Sequence, residues 1–587
     1  MHMREWVKIA ALLLLSLILA LVFYGFMFRD VESDYEPIGD PAFLKLTIAG
    51  EVVEHHQDDV LLSYFENTPI LDLRNILQSI RRAAVDDRIK GIYLRPMAAL
   101  MGWGKIAEIR NALLEFKTSG KPIYAFLDAA SSREYYLAAV ADTVVGVGSG
   151  VLFLGGYLSQ PTFYKDLLDK VGIEADFVAH GEYKTAPNTY TRSSMSEEQR
   201  EVINAILDQF YQNLVANLSE SRGLPQAKIR ELIDRGLFSL AAAREKALID
   251  TLMYEAEFSA HLEKRFGEDL VTVDYRNYLH GDLPDLDVNP DGKIALIYGS
   301  GTIVMGGKNS NGLNDLITGA GMAADIRSAA EDESVKAIVL RIDSPGGSAT
   351  ASDIIWREVV AARAKKPVIA SVSDVAASGG YYISMAADTI VAHPNSIVGS
   401  IGVFAGKFST GKFFEKIGIA TETLKRGRNA DFFTSESRFS PEQRDILRGY
   451  IMETYNDFIS KAGQGRGKTA EEIDRIARGR VWTGEQALGI GLVDVLGDFS
   501  EAIAIAKEKI GLSRDTLVPL EIYPHKRGLL ERIRSGQLSL AEKQWEQTLN
   551  QLPLPLRKAV GAIPHFNPGE ALYLAPVDFW NVSQAAF

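Results

Sequence analysis

The 587-residue sequence contains no cysteine. That excludes disulfides, thiolate nucleophiles and cysteine-ligated metals, and it permits an oxidising compartment without requiring one. Basic charge is also short: 63 lysines and arginines against 76 aspartates and glutamates leave a net charge of −13. This argues against a nucleic-acid partner, because neutralising phosphates needs basic clusters. Histidine is scarce, with nine in the chain, and none is well placed for acid–base work. His55 and His56 lie in a polar stretch, and His393 directly precedes Pro394 at the end of an apolar run, where a structural role is the simpler reading. Disorder is not indicated. Hydrophobic residues make up 47%, ample for two globular cores of roughly 200–230 residues each.

What the chain does have is one pattern written twice. Lys121–Val145 (KPIYAFLDAASSREYYLAAVADTVV) returns as Lys366–Val391 (KPVIASVSDVAASGGYYISMAADTIV). Asp86–Arg95 matches Asp332–Arg341, Ser194–Arg200 matches Arg438–Arg444, and Phe238–Asp250 matches Trp482–Asp494. A period of about 246 residues is far too long for a solenoid and indicates duplication of a whole domain. Each copy opens with an apolar strand (Phe43–Ile48; Lys293–Tyr298) and continues helix (Leu71–Ala84; Met322–Ala330), strand (Gly91–Leu94; Ala337–Arg341), helix, strand (Pro122–Leu127; Pro367–Val372). Alternation of this kind predicts an α/β fold with a parallel sheet covered by helices. The boundaries follow: 1–29 and 30–45 precede a first domain at 46–275, a turn-rich linker at 276–292 leads to a second domain at 293–512, and the tail 513–587 matches nothing in the first copy.

One uncharged run stands apart. Ile9–Phe28 is long enough, at 1.5 Å per residue, to cross a hydrocarbon core of about 30 Å. Its bulky end (Phe23, Tyr24, Phe26, Met27, Phe28) lacks a small-x-small cleavage pattern, which predicts an uncleaved anchor. Arg4 and Lys8 precede it, whereas Arg29 is followed by Asp30, Glu32, Asp34 and Glu36. The N-terminus is therefore expected on the cytoplasmic side and the domains on the other.

The two copies have lost complementary features. Ala377-Ser378-Gly379-Gly380 stands where the first copy has Ser131-Ser132-Arg133-Glu134, and Asp343-Ser-Pro-Gly346-Gly347 stands where it has Pro96-Met-Ala-Ala-Leu100. Conversely, Gly181-Glu-Tyr-Lys184-Thr185 has no lysine counterpart around Arg428–Ala430. Ser378 falls where a strand ends and a helix begins. It is either a helix cap or a nucleophile that gains from the helix N–H groups. Gly346 and Gly347 follow the preceding strand, so both loops emerge at the carboxyl edge of a parallel sheet. Glycine N–H groups there can stabilise an oxyanion. A serine needs a base, and a lysine can serve if burial lowers its value by about 3 units from 10.4.

The anchor, the duplication, Gly-Glu-Tyr-Lys184, Ser-Pro-Gly-Gly347 and Ala-Ser378-Gly-Gly-Tyr together resemble the double-length signal peptide peptidase A (protease IV) family over roughly residues 45–510. The resemblance implies tandem crotonase-like, Clp-protease-like domains behind an N-terminal transmembrane helix. It implies Ser378 as nucleophile, Lys184 as general base, and Ser400 of Val398-Gly-Ser400-Ile-Gly402 as the residue that orients the lysine. It further implies a homotetrameric, membrane-anchored peptidase on the periplasmic side of the bacterial inner membrane. Such an enzyme takes signal-peptide remnants and other hydrophobic peptides, and uses no cofactor and no metal. Two rival readings are an acyl-CoA hydratase or isomerase, which needs pocket carboxylates these loops lack, and a non-catalytic membrane scaffold. Ala462–Thr469 (AGQGRGKT) fits a loose phosphate-loop pattern, but Asp445–Ala462 before it reads as a helix rather than the required strand.

Overall fold

The computed structural model describes residues 38–55, 70–281, 283, 288–306, 316–524 and 570–575. The run Ile9–Phe28, His56 and most of the tail beyond Pro524 lie outside the described residues. Among the described residues no helix is long and apolar enough to cross a membrane.

Each copy builds its own eight-stranded sheet. In the first, strands Ala42–Val53, Ile89–Leu100, Ile123–Ala130 and Thr143–Leu154 run parallel, and Gly236–Ser239 closes one edge antiparallel. In the second, Ile294–Ser300, Ala337–Ser344, Val368–Ala377 and Ile397–Gly399 repeat the arrangement, with Val481–Thr483 antiparallel at the edge. The strands read as near-continuous apolar runs because both faces are buried, as parallel sheets require. The duplication reaches past the matched sequence. Val271–Asp274 pairs with the first strand of copy one, and Leu520–Tyr523 pairs in the same sense with the first strand of copy two. Residues just beyond 512 thus complete the second sheet, and the first residues of the 276–292 linker belong to the short helix Tyr275–His280.

A third sheet joins the halves. Glu174–His180, from the first copy, pairs antiparallel with Val403–Ser409 of the second, in register from Glu174–Ser409 to His180–Val403. Gly346–Ser348, Thr302–Val304, Leu316–Thr318 and the tail strand Leu572–Leu574 complete it. The interface is also ionic. Arg341, on a second-copy strand, is almost wholly buried between Glu54 (2.6 Å) and Glu108 (2.8 and 2.9 Å), both from the first copy. Lys105 of the first copy reaches Asp374 at 2.6 Å and also bonds Asp343. Burial pushes Glu108 up. It acts in the same direction on Glu54, but there Arg341 and Lys105 outweigh it and hold the carboxyl low. The segment around Lys468 is the end of helix Pro441–Arg466 and the turn into Ala470–Ile476, with no strand before it.

Candidate active site

Lys184 follows the strand Glu174–His180, so pairing of that strand with Val403–Ser409 carries the lysine into the second copy. Tyr183 N–H donates to the Arg478 carbonyl at 3.0 Å, fixing the loop there. The lysine is 3% exposed. Its Nζ lies 2.7 Å from Ser378 Oγ, 3.0 Å from the Ser400 carbonyl and 3.1 Å from Ser400 Oγ. No carboxylate lies within ion-pairing distance among the described residues, and burial alone pushes the amine well below its ordinary value. A neutral amine has two N–H donors and one lone pair. Three contacts match that inventory: the amine donates to the Ser400 oxygens and accepts the Ser378 hydroxyl.

Ser378 sits between strand Val368–Ala377 and helix Gly379–Ser384, with φ +55° and ψ −110°. Such a backbone is strained for any residue but glycine and is typical of functional turns. Its side chain makes no helix-capping bond, so the cap reading fails and the hydroxyl is left to Lys184. The strain is held by Ser378 N–H donating to the Gly399 carbonyl at 2.7 Å, while Ser400, itself at φ +51°, donates its N–H to the Arg480 carbonyl at 2.7 Å.

The glycines separate by position. Gly346 has φ +100°, and a Cβ on it would stand 1.8 Å from the Tyr573 carbonyl and 2.5 Å from Gly379 N. Gly346 and Gly379 therefore meet beside Ser378, and the N–H of Gly379 belongs to a first helical turn, where amides lack an intrahelical partner. Gly347 lies one residue into the strand, paired with Ile303 on one side and Tyr573 on the other. Of the histidines, His393 is half-buried, desolvation holds it down at about 4, and its Nδ1 accepts from Asn395 N–H.

The profile of peptidase family S49 matches this sequence twice, over residues 115–267 and 361–513. The chain belongs to peptidase family S49. It is similar to the chloroplastic serine protease SPPA of Arabidopsis thaliana, at 36% identity over 84% of this chain and 73% of that protein. It is also similar to protease 4 of Salmonella typhi (33% identity; 84% and 80%) and of Haemophilus influenzae (31%; 85% and 84%). This S49 chain is a serine endopeptidase built from two S49 domains.

Sequence reasoning missed two parts of the S49 site. Gly479 (φ +84°) lies against Lys184, and a Cβ there would stand 2.4 Å from the lysine backbone N. The first copy has Arg235 at the corresponding place, so comparing the copies once more was the available signal. The other part is Glu570–Ala575, which reaches the site from a tail with no counterpart in the first copy.

Proposed function

We propose that this S49 endopeptidase works through a Ser378–Lys184 dyad. The observation that carries the reading is a buried lysine, free of counter-charge among the described residues, 2.7 Å from the hydroxyl of a serine with strained backbone. The Ser378 proton passes to Lys184 Nζ as Oγ attacks the scissile carbonyl, and Ser400 holds the amine in line. The N–H of Gly379 receives the developing oxyanion, joined by that of Gly346 as it gives up its 3.2 Å bond to Ser344 Oγ, and Gly347 pairs with the substrate backbone as a strand. The lysine then protonates the departing amine, leaving an acyl-enzyme. Water, deprotonated by the same lysine, releases the acid.

The proposed substrates are signal-peptide remnants and other extended hydrophobic peptides. The domains would be anchored through Ile9–Phe28 on the periplasmic side of a bacterial inner membrane and assembled as a homotetramer, with no nucleotide, metal or nucleic acid required. The 20-residue uncharged run and its flanking charges support the anchoring. A serine-directed acylating probe followed by peptide mapping tests the dyad. Label on Ser378 in the parent, lost in Lys184→Met, is the expected result; label elsewhere, or undiminished in Lys184→Met, overturns it.

A further inference from the structure

The strand Gly346–Ser348 and the strand Val403–Ser409 belong to one sheet but do not touch. Between them lies Leu572–Leu574, antiparallel to both: Gly346 pairs with Leu574, Gly347 with Tyr573 and Ser348 with Leu572, while Phe404 pairs with Leu572 from the other side. Taking this segment away leaves two parallel edges separated by two strand spacings, about 9–10 Å. Such a slot fits one extended peptide and no more.

The slot runs past the proposed catalytic residues. Ala349 N–H donates to the Ala571 carbonyl at 3.0 Å and Ala575 N–H to the Pro345 carbonyl at 2.8 Å, so the strand is bonded along its whole length. Pro345 immediately precedes Gly346, which places Ala575 beside the Gly346–Gly379 pair. Side chains alternate along a strand. Tyr573, two residues earlier, enters an aromatic pocket, its ring 5.0 Å from Tyr382 and 4.6 Å from Phe458 between centroids, its hydroxyl donating to the Thr454 carbonyl at 3.2 Å. Glu570 bonds the Ser348 hydroxyl at the far end. With the strand seated, Ser378 and Ser400 have no exposed surface.

We propose that this slot is the peptide-binding groove of the enzyme and that Glu570–Ala575 is its resident occupant, a tethered pseudo-substrate that must leave before another peptide enters. The proposal rests on the dyad reading for what happens next, but not for binding. It names the ligand class: an extended segment with a small residue next to Ser378 and an aromatic one two positions before. The residue after Ala575 is Pro576, so the bond that follows is a tertiary amide whose nitrogen bears no hydrogen. This is consistent with an occupant that stays whole. A tethered strand competes at an effective concentration of about millimolar, and release is therefore expected to change apparent affinity strongly.

Because the chain has no cysteine, a single engineered pair gives a clean lock. Phe404→Cys with Leu572→Cys joins directly paired positions, whose Cβ atoms in an antiparallel pair stand about 4.5–5.5 Å apart before adjustment. In the full chain, the oxidised pair is expected to hydrolyse an apolar peptide at least ten-fold more slowly than the same protein after reduction. Full activity while oxidised overturns the proposal. Independently of activity, a fluorescent peptide of sequence Glu-Ala-Leu-Tyr-Leu-Ala should bind a variant lacking 570–587 at least ten-fold more tightly than the full chain. Replacing its tyrosine by alanine should abolish most of that gain. Equal binding by both proteins, with melting temperatures alike, also overturns it. Tyr573→Ser in the full chain provides the same comparison if the truncated chain does not fold. Should the peptide bind as expected while Ser378 takes no acylating probe, the groove stands and the dyad reading falls.

Discussion

The two copies share a frame almost bond for bond and differ where the chemistry lies. Lys121 caps the carbonyls of Ala83 and Asp86, as Lys366 caps those of Ala329 and Asp332. Tyr135 donates to the Leu248 carbonyl and Tyr381 to that of Leu492. Arg222 grips Asp250 as Arg466 grips Asp494. Against that constancy, Ser131 is an ordinary cap with φ −89°, and Ser132 Oγ reaches only the Phe153 carbonyl, at 3.5 Å. Glu134 stands where the second copy has Gly380. Its carboxylate accepts from Ser131 N–H and from Ala99 N–H, and Ala99 occupies the place of Gly346. The amide equivalent to Gly346 N–H, which in the second copy donates to the neutral Ser344 hydroxyl at 3.2 Å, is thus taken by an internal anion. One copy kept the fold and filled the hole, while lending the other its lysine.

The sharpest way to break this contrast is at the dyad. Ser378→Ala and Lys184→Ala are each expected to lower kcat/KM for an apolar peptide by about 10³-fold or more, while Ser132→Ala changes it less than two-fold. Because the pair acts as a unit, the double variant should be little worse than either single one. Peptide hydrolysis measured on all four proteins decides it. Substantial activity in Lys184→Ala would remove the base assignment.

A second test concerns what duplication did to equivalent arginines. Arg95 lies on the inner strand Ile89–Leu100 but turns toward solvent, paired with Asp128 and Glu255, which are themselves 43% and 46% exposed. Arg341 is enclosed with two carboxylates of the other half. Arg341→Met would strand Glu108 in the interior, leave Glu54 with Lys105 alone, and is expected to cost about 3–5 kcal/mol. Arg95→Met should cost under about 1 kcal/mol. Urea unfolding of both variants measures the difference, and equal losses would mean that the buried cluster does not join the halves.

Much of this was readable in the sequence, and for a definable reason. Strands such as Ala337–Ser344 are locally coded by apolar, β-branched runs, and duplication printed each boundary twice. Ser378, Gly346 and Gly379 were legible as departures of one copy from the other, and Lys184 as a departure in the opposite direction. The distance between them was not legible, since it depends on Glu174–His180 pairing with Val403–Ser409 more than 200 residues away, which no local pattern encodes. Gly479 was obscured because its role is only to make room. Glu570–Ala575 was obscured because its three-residue strand, Leu572–Leu574, has little periodicity to display and no second copy to compare.

The smallest expected effect separates two buried lysines that the first copy sends into the second. Lys105 is surrounded by Asp343, Asp374 and Glu54, and although burial opposes the charge, those carboxylates raise it well above its ordinary value. It is protonated in both folded and unfolded chains from pH 7 to 9, so its contribution to stability is flat there. Lys184 has no such partner and is pushed down by burial, so over the part of that window above its folded value the folded state binds one proton fewer than the unfolded chain. Stability then rises with pH, by up to about 1.4 kcal/mol per unit, until the unfolded lysine itself loses its proton near 10.4. Lys184→Met removes the linkage. The variant is expected to be more stable than the parent at pH 7, with the gap closing as pH is raised above the folded lysine's own value, while the parent's kcat/KM climbs as pH passes through that value and is already flat where the gap closes, well below pH 10. Urea unfolding of parent and variant at pH 7, 8 and 9 measures the gap. If it stays constant across the series, Lys184 carries its proton in the folded enzyme at these pH values and cannot be the group that deprotonates Ser378.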